Sequence, residues 1–546
     1  MFLRSTRKSD EYDVVVVGSG AAGLTAALAA HDNGAKVLIL EKTDKLGGTT
    51  AVSGGGIWIP GNDQQAGGAL AESRDAPVEY CTALTMERAD RTLIERFIDV
   101  APVAIRYLEA RTPLKFGPMT TPDYHPEMPG ARMSGRTIEP APFDTTVLGE
   151  WKDKLRPPSA LAFPVTLQEV FEDYKAFYCP WKIPQDLVVE RMTKGIATMG
   201  QALAAGLLAG VLQRNIPIRL NARARRLTRI DRRITAVSYD KDGTTHDVRL
   251  KRGVILASAG FEWNDELRKK FLPGAVMEPN SPPFNEGDGL LMAMEVGADL
   301  ANMSEVWNYP SIVIPGETYE GRPLARGIKA ERSGPHIIWV NARGLRFVNE
   351  AANYNSVGRA FHIMETNRPA LANQPAWAIF DSQYRNKYIV GTTMPGDPDP
   401  NWLMKADTLD ALARIVGIDP VGLQETVQRW NGSVAEGEDH DFGRGNSAFD
   451  RYQGDPEAPH PNLGTIEKGP FYALSVFPGA LGTKGGPRTD SRAQVLDVFG
   501  AAIDGLYAAG NVAASVTGPS YYGVGSTLGP AITFGYIAGN AVMGVQ

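Results

Sequence analysis

Residues 13–23 read DVVVVGSGAAG, and this stretch decides the fold. A run of four valines is typical of a strand that is buried on both faces of a parallel sheet. The pattern G-x-G-x-x-G follows, in which Gly18 permits a tight turn, Gly20 lets the backbone approach a pyrophosphate and Gly23 lets a helix pack closely. Residues 21–33 have helical composition, so a helix N-terminus would point at the phosphates. The order strand, turn, helix predicts a dinucleotide-binding unit.

An acidic residue lies where this unit needs one. Residues 36–40 (KVLIL) predict a second buried strand, and Glu41 follows about 20 residues after Gly20, where a carboxylate can bind ribose hydroxyls. The glycine pattern alone is weak, since Gly-rich turns are common. Strand, helix and carboxylate together favour a bound dinucleotide over a plain turn.

A second glycine-rich stretch and the tail indicate FAD rather than NAD. Residues 47–62 (GGTTAVSGGGIWIPGN) are dense in Gly, Ser and Thr, and we expect them to form a loop. An isoalloxazine ring needs this further stretch of close backbone. Residues 504–511 (DGLYAAGN) predict a second strand-to-helix phosphate site, and a last helix is expected from about Leu528. No motif for a covalent link is present, so we expect the FAD to be bound non-covalently.

The length of the chain, 546 residues, predicts more than one domain. The pattern indicates an α/β fold: a Rossmann-like FAD-binding domain, with a central parallel sheet and a small antiparallel sheet, plus an inserted α+β catalytic domain. We expect FAD-binding segments at 1–305 and 468–546 and the catalytic domain at 306–467. Residues 76–112 are helical in pattern. Residues 113–188 are rich in Pro and aromatic residues and predict an irregular cap.

Composition excludes several classes of function. The net charge is −6 and no block of like charges occurs, which argues against a nucleic-acid partner. The seven His and two Cys are scattered, so no metal site is predicted. The longest apolar stretch, 202–212, is far shorter than the ~20 residues of a membrane span. The N-terminus does not resemble a signal peptide. We therefore expect a cytoplasmic protein, with peripheral contact at the inner membrane surface as an open alternative.

Several longer motifs resemble one flavoprotein family, that of the fumarate reductases and 3-ketosteroid dehydrogenases. The resemblance is strongest to the 3-ketosteroid Δ1-dehydrogenases and covers most of the chain. It rests on LEKTDKLGGTTAVSGGGIWIPGN (40–62), RFVNEAANY (346–354), GPFYAL (469–474), LGTKGG (481–486) and GLYAAGN (505–511). It implies 1,2-dehydrogenation of a 3-ketosteroid in sterol catabolism, with electrons passed on to a quinone-like acceptor.

The glycine motifs and the resemblance together predict the residues that bind FAD. They are Gly18, Gly20, Ala21, Ala22, Gly23, Glu41, Lys42, Gly48, Thr49, Thr50, Ser53, Gly54, Gly55, Ala224, Ala259, Gly260, Asp288, Gly510, Asn511, Ser526 and Leu528.

Four catalytic positions carry over from the family. The resemblance implies that Tyr521 and the backbone N–H of Gly525 bind the C3 carbonyl, as an oxyanion hole binds its oxygen. It implies that Tyr354 takes the C2 proton while the C1 hydride goes to FAD N5. A free tyrosine has a pKa of about 10. We therefore expect the site to lower the pKa of Tyr354, with Tyr124 as the hydrogen-bond partner.

Alternatives remain open at this level. Tyr522 could replace Tyr521, since only one of two adjacent residues of an extended chain can face the flavin. His125, Lys484 and Arg359 are candidate acids or bases that we interpret as structural. Three other functions remain possible. The first is a Δ4-type ketosteroid dehydrogenase, but that type has a serine where this chain has Gly523. The second is a fumarate-type reductase, which needs cationic side chains to bind two carboxylates, and the third is a lipid-binding escort without flavin.

The aromatic segment 151–182 has two interpretations. It is an ordinary cap over the substrate cleft, or it is an apolar lip that collects sterols from a membrane surface.

Overall fold

The computed structural model describes residues 10–64, 72–160, 164–274 and 277–545. Within these ranges the α-helices span Ala21–Asp32, Gly48–Val52, Asp75–Leu84, Arg91–Arg111, Gln185–Thr193, Met199–Gln213, Asp265–Phe271, Asp288–Glu295, Ala330–Ser333, Tyr354–Arg359, Ser382–Arg385, Leu409–Val416, Pro420–Glu436, Ala448–Gln453 and Leu528–Ala541. None of them combines the length and the apolar composition that crossing a bilayer requires.

The central sheet has a parallel core of five strands. In spatial order they are Ile218–Arg219, Val37–Leu40, Asp10–Val17, Thr244–Leu256 and Ala502–Ala508. Arg223–Ile230 and Arg233–Lys241 add an antiparallel extension along the first half of Thr244–Leu256, and Gln494–Leu496 closes the other edge. The α/β fold and the mixed sheet that the sequence predicts are confirmed.

Burial explains why the apolar runs form strands here. Val14, Val15 and Val16 are fully buried, because several helices cover one face of the sheet, and the antiparallel strands with the helix Asp288–Glu295 cover the other. Two of the helices, Ala21–Asp32 and Leu528–Ala541, come from opposite ends of the chain and pack on each other. The predicted last helix from Leu528 is thereby confirmed.

A second, antiparallel sheet lies in the inserted region. It runs in the order Ile337–Asn341, Ala376–Asp381, Phe471–Val476, Met404–Ala406, with the helices Leu409–Val416 and Pro420–Glu436 packed on it. Phe471–Val476 lies beyond position 467, where the sequence put the end of this domain. The predicted domain limits stay a prediction, and the strand pairing favours an end after residue 476.

Further strands form separate sheets of two or three strands. The remaining strands are Ile57–Trp58, Phe116–Pro118, Thr137–Pro140, Phe143–Asp144, Ile196–Ala197, Glu278–Pro279, Leu300–Ala301, Val306–Asn308, Ser311–Tyr319, Arg322–Gly327, Gly479–Thr483 and Gly486–Pro487. Segment 113–188 thus contains short strands and helical turns rather than only irregular chain.

One local expectation is wrong, and a second is refined. The stretch 47–62 is not all loop, since it holds the helix Gly48–Val52 and the strand Ile57–Trp58. The composition predicted a loop, but tertiary packing fixes the structure of this stretch. Gly55 lies so close to Met199 that a Cβ on it would be 2.4 Å from the Met199 backbone. The helical pattern at 76–112 is two helices, separated where Met86 and Glu87 take positive φ angles of 51° and 59°.

Candidate active site

A cavity of about 340 Å³ lies at the carboxyl ends of the central strands. Part of its wall is glycine-rich backbone from both ends of the chain, and part is aromatic. Eighteen of the predicted FAD-binding residues line it: Gly18, Gly20, Ala21, Ala22, Glu41, Lys42, Gly48, Thr49, Thr50, Ser53, Gly54, Gly55, Ala224, Ala259, Asp288, Gly510, Asn511 and Leu528. The cavity therefore brings together stretches that are up to about 500 residues apart in sequence.

The glycine turn forms a cradle that larger residues would fill. Gly18 has φ +107°, and a Cβ on it would lie 2.3 Å from the carbonyl oxygen of Ala257. Gly20 faces open space, where a Cβ would find only Thr50 Oγ1 at 3.5 Å. Gly510 also has a positive φ, +76°. This cradle beside the N-terminus of helix Ala21–Asp32 fits the pyrophosphate of FAD.

Glu41 is held in place at the end of its strand. Its Oε2 accepts a 2.6 Å hydrogen bond from Ser19 Oγ, and its Oε1 accepts one of 3.0 Å from the backbone N–H of Thr43. The carboxylate lines the cavity and keeps acceptor capacity for ribose hydroxyls. Lys42 forms ion pairs with Glu286 at 3.0 Å and with Asp288 at 2.9 Å.

Three predicted FAD-binding residues lie behind the wall rather than in it. A Cβ on Gly23 would lie 2.1 Å from the carbonyl oxygen of Gly18, and one on Gly260 would lie 2.2 Å from Thr483 Oγ1. Ser526 Oγ bonds back to the backbone of Gly523, accepting from its N–H at 2.9 Å and donating to its carbonyl at 2.8 Å. All three shape the wall by close packing or by holding a turn.

The three predicted catalytic phenols converge in the aromatic part of the cavity. Tyr124 Oη donates a 2.8 Å hydrogen bond to Tyr354 Oη. The ring centroids lie 5.1 Å apart for Tyr124 and Tyr521, and 5.3 Å apart for Tyr354 and Tyr521. All three rings line the cavity although their residues lie almost 400 positions apart.

Gly525 completes this group. It lines the cavity with φ +94°, and a Cβ on it would lie 2.3 Å from the carbonyl oxygen of Gly56, so no larger residue fits. Among the described residues its N–H donates to no acceptor, whereas its carbonyl accepts from Trp58 and Gly529. A backbone donor thus remains available in the same cavity as the Tyr521 phenol.

Local structure holds each phenol. Tyr354 opens the helix Tyr354–Arg359, whose N-cap Asn353 accepts from the N–H of Ser356 at 3.0 Å. Tyr124 N–H donates to the carbonyl of Tyr522 at 2.9 Å, which ties its loop to the C-terminal tail.

Several neighbours of the phenols could not be predicted from the sequence. Thr527 Oγ1 lies 3.1 Å from Tyr521 Oη, and the ring of Tyr309 lies 4.7 Å from that of Tyr354. The rings of Trp307 and Phe449 lie 4.9 Å from those of Tyr521 and Tyr124, respectively. Nothing in the sequence pattern brings them to the site, since only the fold places their elements there.

The electrostatics of the site correct one expectation. Burial raises the pKa of Tyr354 well above its ordinary value, and the neighbouring phenols Tyr124 and Tyr521 raise it further. The prediction that the site lowers the pKa of Tyr354 is therefore wrong when only the protein's own groups act on it. The reason is that a neutral phenol is a poor counterion for a buried tyrosinate. Burial also raises the pKa of Tyr521.

The three alternative acids and bases have structural partners. Lys484 is fully buried, and its Nζ donates to the carbonyls of Ser520 at 2.6 Å and Pro519 at 3.1 Å. Burial lowers its pKa well below the ordinary value. His125 Nε2 lies 3.2 Å from Asn353 Nδ2, and Arg359 forms an ion pair with Glu305.

Comparison with known proteins gives consistent matches. Residues 13–528 match the family model described as FAD binding domain. A 4-oxocyclohexanecarboxylate 2-dehydrogenase from Sinomonas cyclohexanicum is 39% identical, over 100% of this chain and 94% of that protein. A 3-oxosteroid 1-dehydrogenase from Mycolicibacterium smegmatis is 38% identical, over 97% of this chain and 96% of that protein.

Among solved structures, a 3-ketosteroid Δ1-dehydrogenase from Sterolibacterium denitrificans in complex with 1,4-androstadiene-3,17-dione superposes with a TM-score of 0.90. It is 36% identical, and the match covers 98% of this chain and all of that one.

Proposed function

The chain belongs to the FAD binding domain family, and from that premise we propose that it is an FAD-dependent 3-oxosteroid 1-dehydrogenase, which converts a 3-keto-4-ene into a 1,4-diene. The observation that carries the proposal is the convergence of Tyr124, Tyr354, Tyr521 and the N–H of Gly525 in one cavity with the dinucleotide cradle.

The proposed roles follow from which donors and acceptors are available. The Tyr521 hydroxyl and the Gly525 N–H hydrogen-bond the ketone oxygen and stabilise the negative charge that develops there as the neighbouring carbon loses a proton. Tyr354 takes that proton, and Tyr124 holds the Tyr354 oxygen through their 2.8 Å hydrogen bond. Bound FAD supplies the hydride acceptor. The apolar wall keeps water from the reacting carbons.

The lining supports a hydrophobic substrate. Beyond the phenols the wall includes Leu167, Phe171, Phe177 and Val524. The two cationic side chains among the described lining residues, Lys42 and Arg156, are already engaged with Glu286, Asp288 and Glu320. This speaks against a fumarate-type reductase, which needs cations for two carboxylates.

Gly523 separates the Δ1 from the Δ4 alternative. A Cβ at this position would lie 2.7 Å from the ring of Trp58, which is fully buried. The serine that the Δ4 type carries here would not fit without moving the tryptophan, so the geometry favours Δ1 chemistry.

A second candidate substrate is 4-oxocyclohexanecarboxylate. The observation in its favour is the 39% identity, over the whole chain, to a dehydrogenase named for it. The same constellation would serve it, because the reaction is also removal of hydrogen next to a cyclic ketone.

Anaerobic mixing with androst-4-ene-3,17-dione tests the proposal. We expect the flavin absorbance to bleach and a 1,4-diene product to form. Bleaching by 5α-saturated steroids alone would move the assignment to the Δ4 type, and bleaching by 4-oxocyclohexanecarboxylate alone would move it to the second candidate. A purified protein without flavin would support the lipid-binding escort.

We further propose a quinone-like electron acceptor and peripheral membrane contact. Trp181 is 55% exposed, and Val189 and Met192 on the adjacent helix Gln185–Thr193 are more than half exposed. Exposed apolar side chains of this kind suit insertion at a lipid interface. Replacing Trp181, Val189 and Met192 by Ser should reduce sedimentation of the protein with anionic vesicles, and unchanged sedimentation would reject the contact.

A further inference from the structure

A lysine side chain contacts the aromatic wall of the cavity. Lys329 follows the strand Arg322–Gly327 and is 8% exposed. Its Nζ lies 3.8 Å from the ring centroid of Phe171 and 4.6 Å from that of Phe177. Both rings line the cavity. Their faces attract the ammonium, and such contacts are stronger away from water.

Within the described part of the chain, no carboxylate forms an ion pair with this ammonium. Among the described residues, no acceptor forms a hydrogen bond or an ion pair with Lys329 Nζ. The neighbouring carboxylate, Glu172, pairs with Lys175 at 2.8 Å. Burying a charge without a partner is costly, and burial lowers the pKa of Lys329 well below its ordinary value. A carboxylate brought by a ligand would supply the missing partner and keep the lysine charged.

The position of Lys329 relates it to the phenols. A row of rings runs from Tyr124 to Phe449 (4.9 Å between centroids) and on to Tyr452 (6.5 Å), and Lys329 Nζ lies 5.9 Å from the Tyr452 centroid. A series of ring contacts therefore connects the ammonium with the phenols, and Phe449 and Tyr452 pack behind the residues that line the cavity. A substrate with its ketone at Tyr521 would direct its other end toward Phe171 and Phe177, which line the cavity and contact the ammonium.

We propose that Lys329 binds a carboxylate that the substrate carries on the side away from its ketone. The inference rests on the proposed function, because it needs the ketone to be held by Tyr521 and Gly525. The ligand class is an alicyclic ketone with a carboxylate, which is either a monocyclic keto acid or a steroid whose side chain ends in a carboxylate.

Two pairs of substrates distinguish these sources. The monocyclic pair is 4-oxocyclohexanecarboxylate and 4-methylcyclohexanone, and the steroid pair is 3-oxochol-4-en-24-oate and androst-4-ene-3,17-dione. For each pair the ratio of kcat/KM, acid over neutral ketone, is measured with a dye acceptor. We expect Lys329→Met to lower this ratio roughly tenfold or more in one pair, as for a lost charge-assisted hydrogen bond.

Two variants control the interpretation. Lys194→Met removes an exposed cation that is already paired with Glu190, and it should leave both ratios unchanged. Lys329→Arg keeps the charge and should retain most of the preference for the acid. If Lys329→Met loses its flavin on purification, the proposal is tested instead with Lys329→Arg and by inhibition of the unaltered enzyme with cyclohexanecarboxylate.

The outcomes separate this inference from the proposed function. Equal ratios for the unaltered enzyme and Lys329→Met in both pairs, with neutral ketones still bleaching the flavin, would overturn the carboxylate site alone. Failure of all four ketones to bleach the flavin would overturn the dehydrogenase proposal itself.

Discussion

Tyr521 and Tyr522 are adjacent in sequence, yet their side chains have different surroundings. Tyr521 faces the cavity, whereas Tyr522 packs on Trp58 at 5.2 Å and on Tyr80 at 6.2 Å. The Tyr522 hydroxyl donates to the carbonyl of Val516 at 2.9 Å. Alternation of side chains along extended backbone produces this divergence. Tyr522 therefore serves the core beside the site, and the sequence alone left the choice between the two open.

Removing single hydroxyls tests the proposed roles of the phenols. Tyr354→Phe and Tyr521→Phe should each lower kcat by at least about 10²-fold, as expected for loss of a proton acceptor or an oxyanion donor. Stopped-flow bleaching of the flavin measures the step directly.

Tyr522→Phe is the matched control for these variants. It removes a hydroxyl from the core, so it should cost about 1 kcal/mol of stability and leave the bleaching rate near that of the unaltered enzyme. Near-normal turnover in Tyr354→Phe or Tyr521→Phe would remove that residue from the mechanism.

The raised pKa of Tyr354 predicts the pH dependence of the reaction. Tyr354 must lose its own proton before it can accept one, and its pKa lies above the ordinary value of about 10. The value of kcat/KM should therefore rise with pH through about pH 9. Initial rates at saturating dye acceptor measure this dependence, and a plateau below about pH 8 would contradict it.

A buried ion-pair network positions the segment that carries Tyr354. Glu350 is fully buried, and its carboxylate accepts from Arg346 at 2.8 Å, from Arg444 at 3.2 Å and from the N–H of Trp339 at 2.9 Å. Burial would raise its pKa, but Arg346 and Arg444 outweigh burial and hold the pKa below the usual range. The helix Tyr354–Arg359 begins four residues later, so this network anchors its start.

Glu350→Gln should destabilise the protein by about 3 to 5 kcal/mol at pH 7, because the buried guanidinium groups of Arg346 and Arg444 then lose a carboxylate partner. Thermal unfolding of the holoprotein measures the effect. The difference from the unaltered protein should shrink as pH falls through and below about 4, since the ionised Glu350 stabilises only above its pKa. Glu436→Gln, on an exposed side chain paired with His440, should change stability by less than about 0.5 kcal/mol.

At the scale of the whole molecule, the two ends of the chain build one FAD cradle. Gly510 lies against Ala22, and the helices Ala21–Asp32 and Leu528–Ala541 touch through glycine. A Cβ on Gly535 would lie 2.5 Å from the carbonyl oxygen of Ala22. Separating these helices would move the helix N-terminus that faces the phosphates.

Gly535→Ala should therefore cost about 1 to 3 kcal/mol through overpacking and should lower the FAD content of the purified protein. Gly432→Ala is the matched control, because Gly432 lies inside the helix Pro420–Glu436 with nothing within 4 Å of a Cβ. It should stabilise the protein by up to about 1 kcal/mol and leave the flavin content unchanged. Equal flavin content in both variants would contradict the role given to this contact.

The α/β fold, the FAD cradle and the family could all be predicted from the amino-acid sequence. Local features suffice for these: the buried strand at 13–17 and the turn at Gly18 are dictated by short-range sterics and by apolar periodicity. Eighteen of the 21 cofactor residues that the glycine motifs and the resemblance predict line the cavity. The motifs around Tyr124, Tyr354 and Tyr521 named residues that the fold brings together in one cavity, and their catalytic roles stay a proposal.

Only the tertiary structure decided which side chains meet and in which charge state. The helix Gly48–Val52, the contact between Tyr521 and Thr527 and the high pKa of Tyr354 all arise from segments far apart in the chain or from burial. Lys329 is unremarkable in sequence and becomes a candidate ligand contact only because two distant phenylalanines enclose it. Long-range packing determines how far each ionisable side chain is removed from water. That removal in turn shifts the pKa of the side chain and determines whether its charge needs a partner. Neither quantity is a property of local sequence.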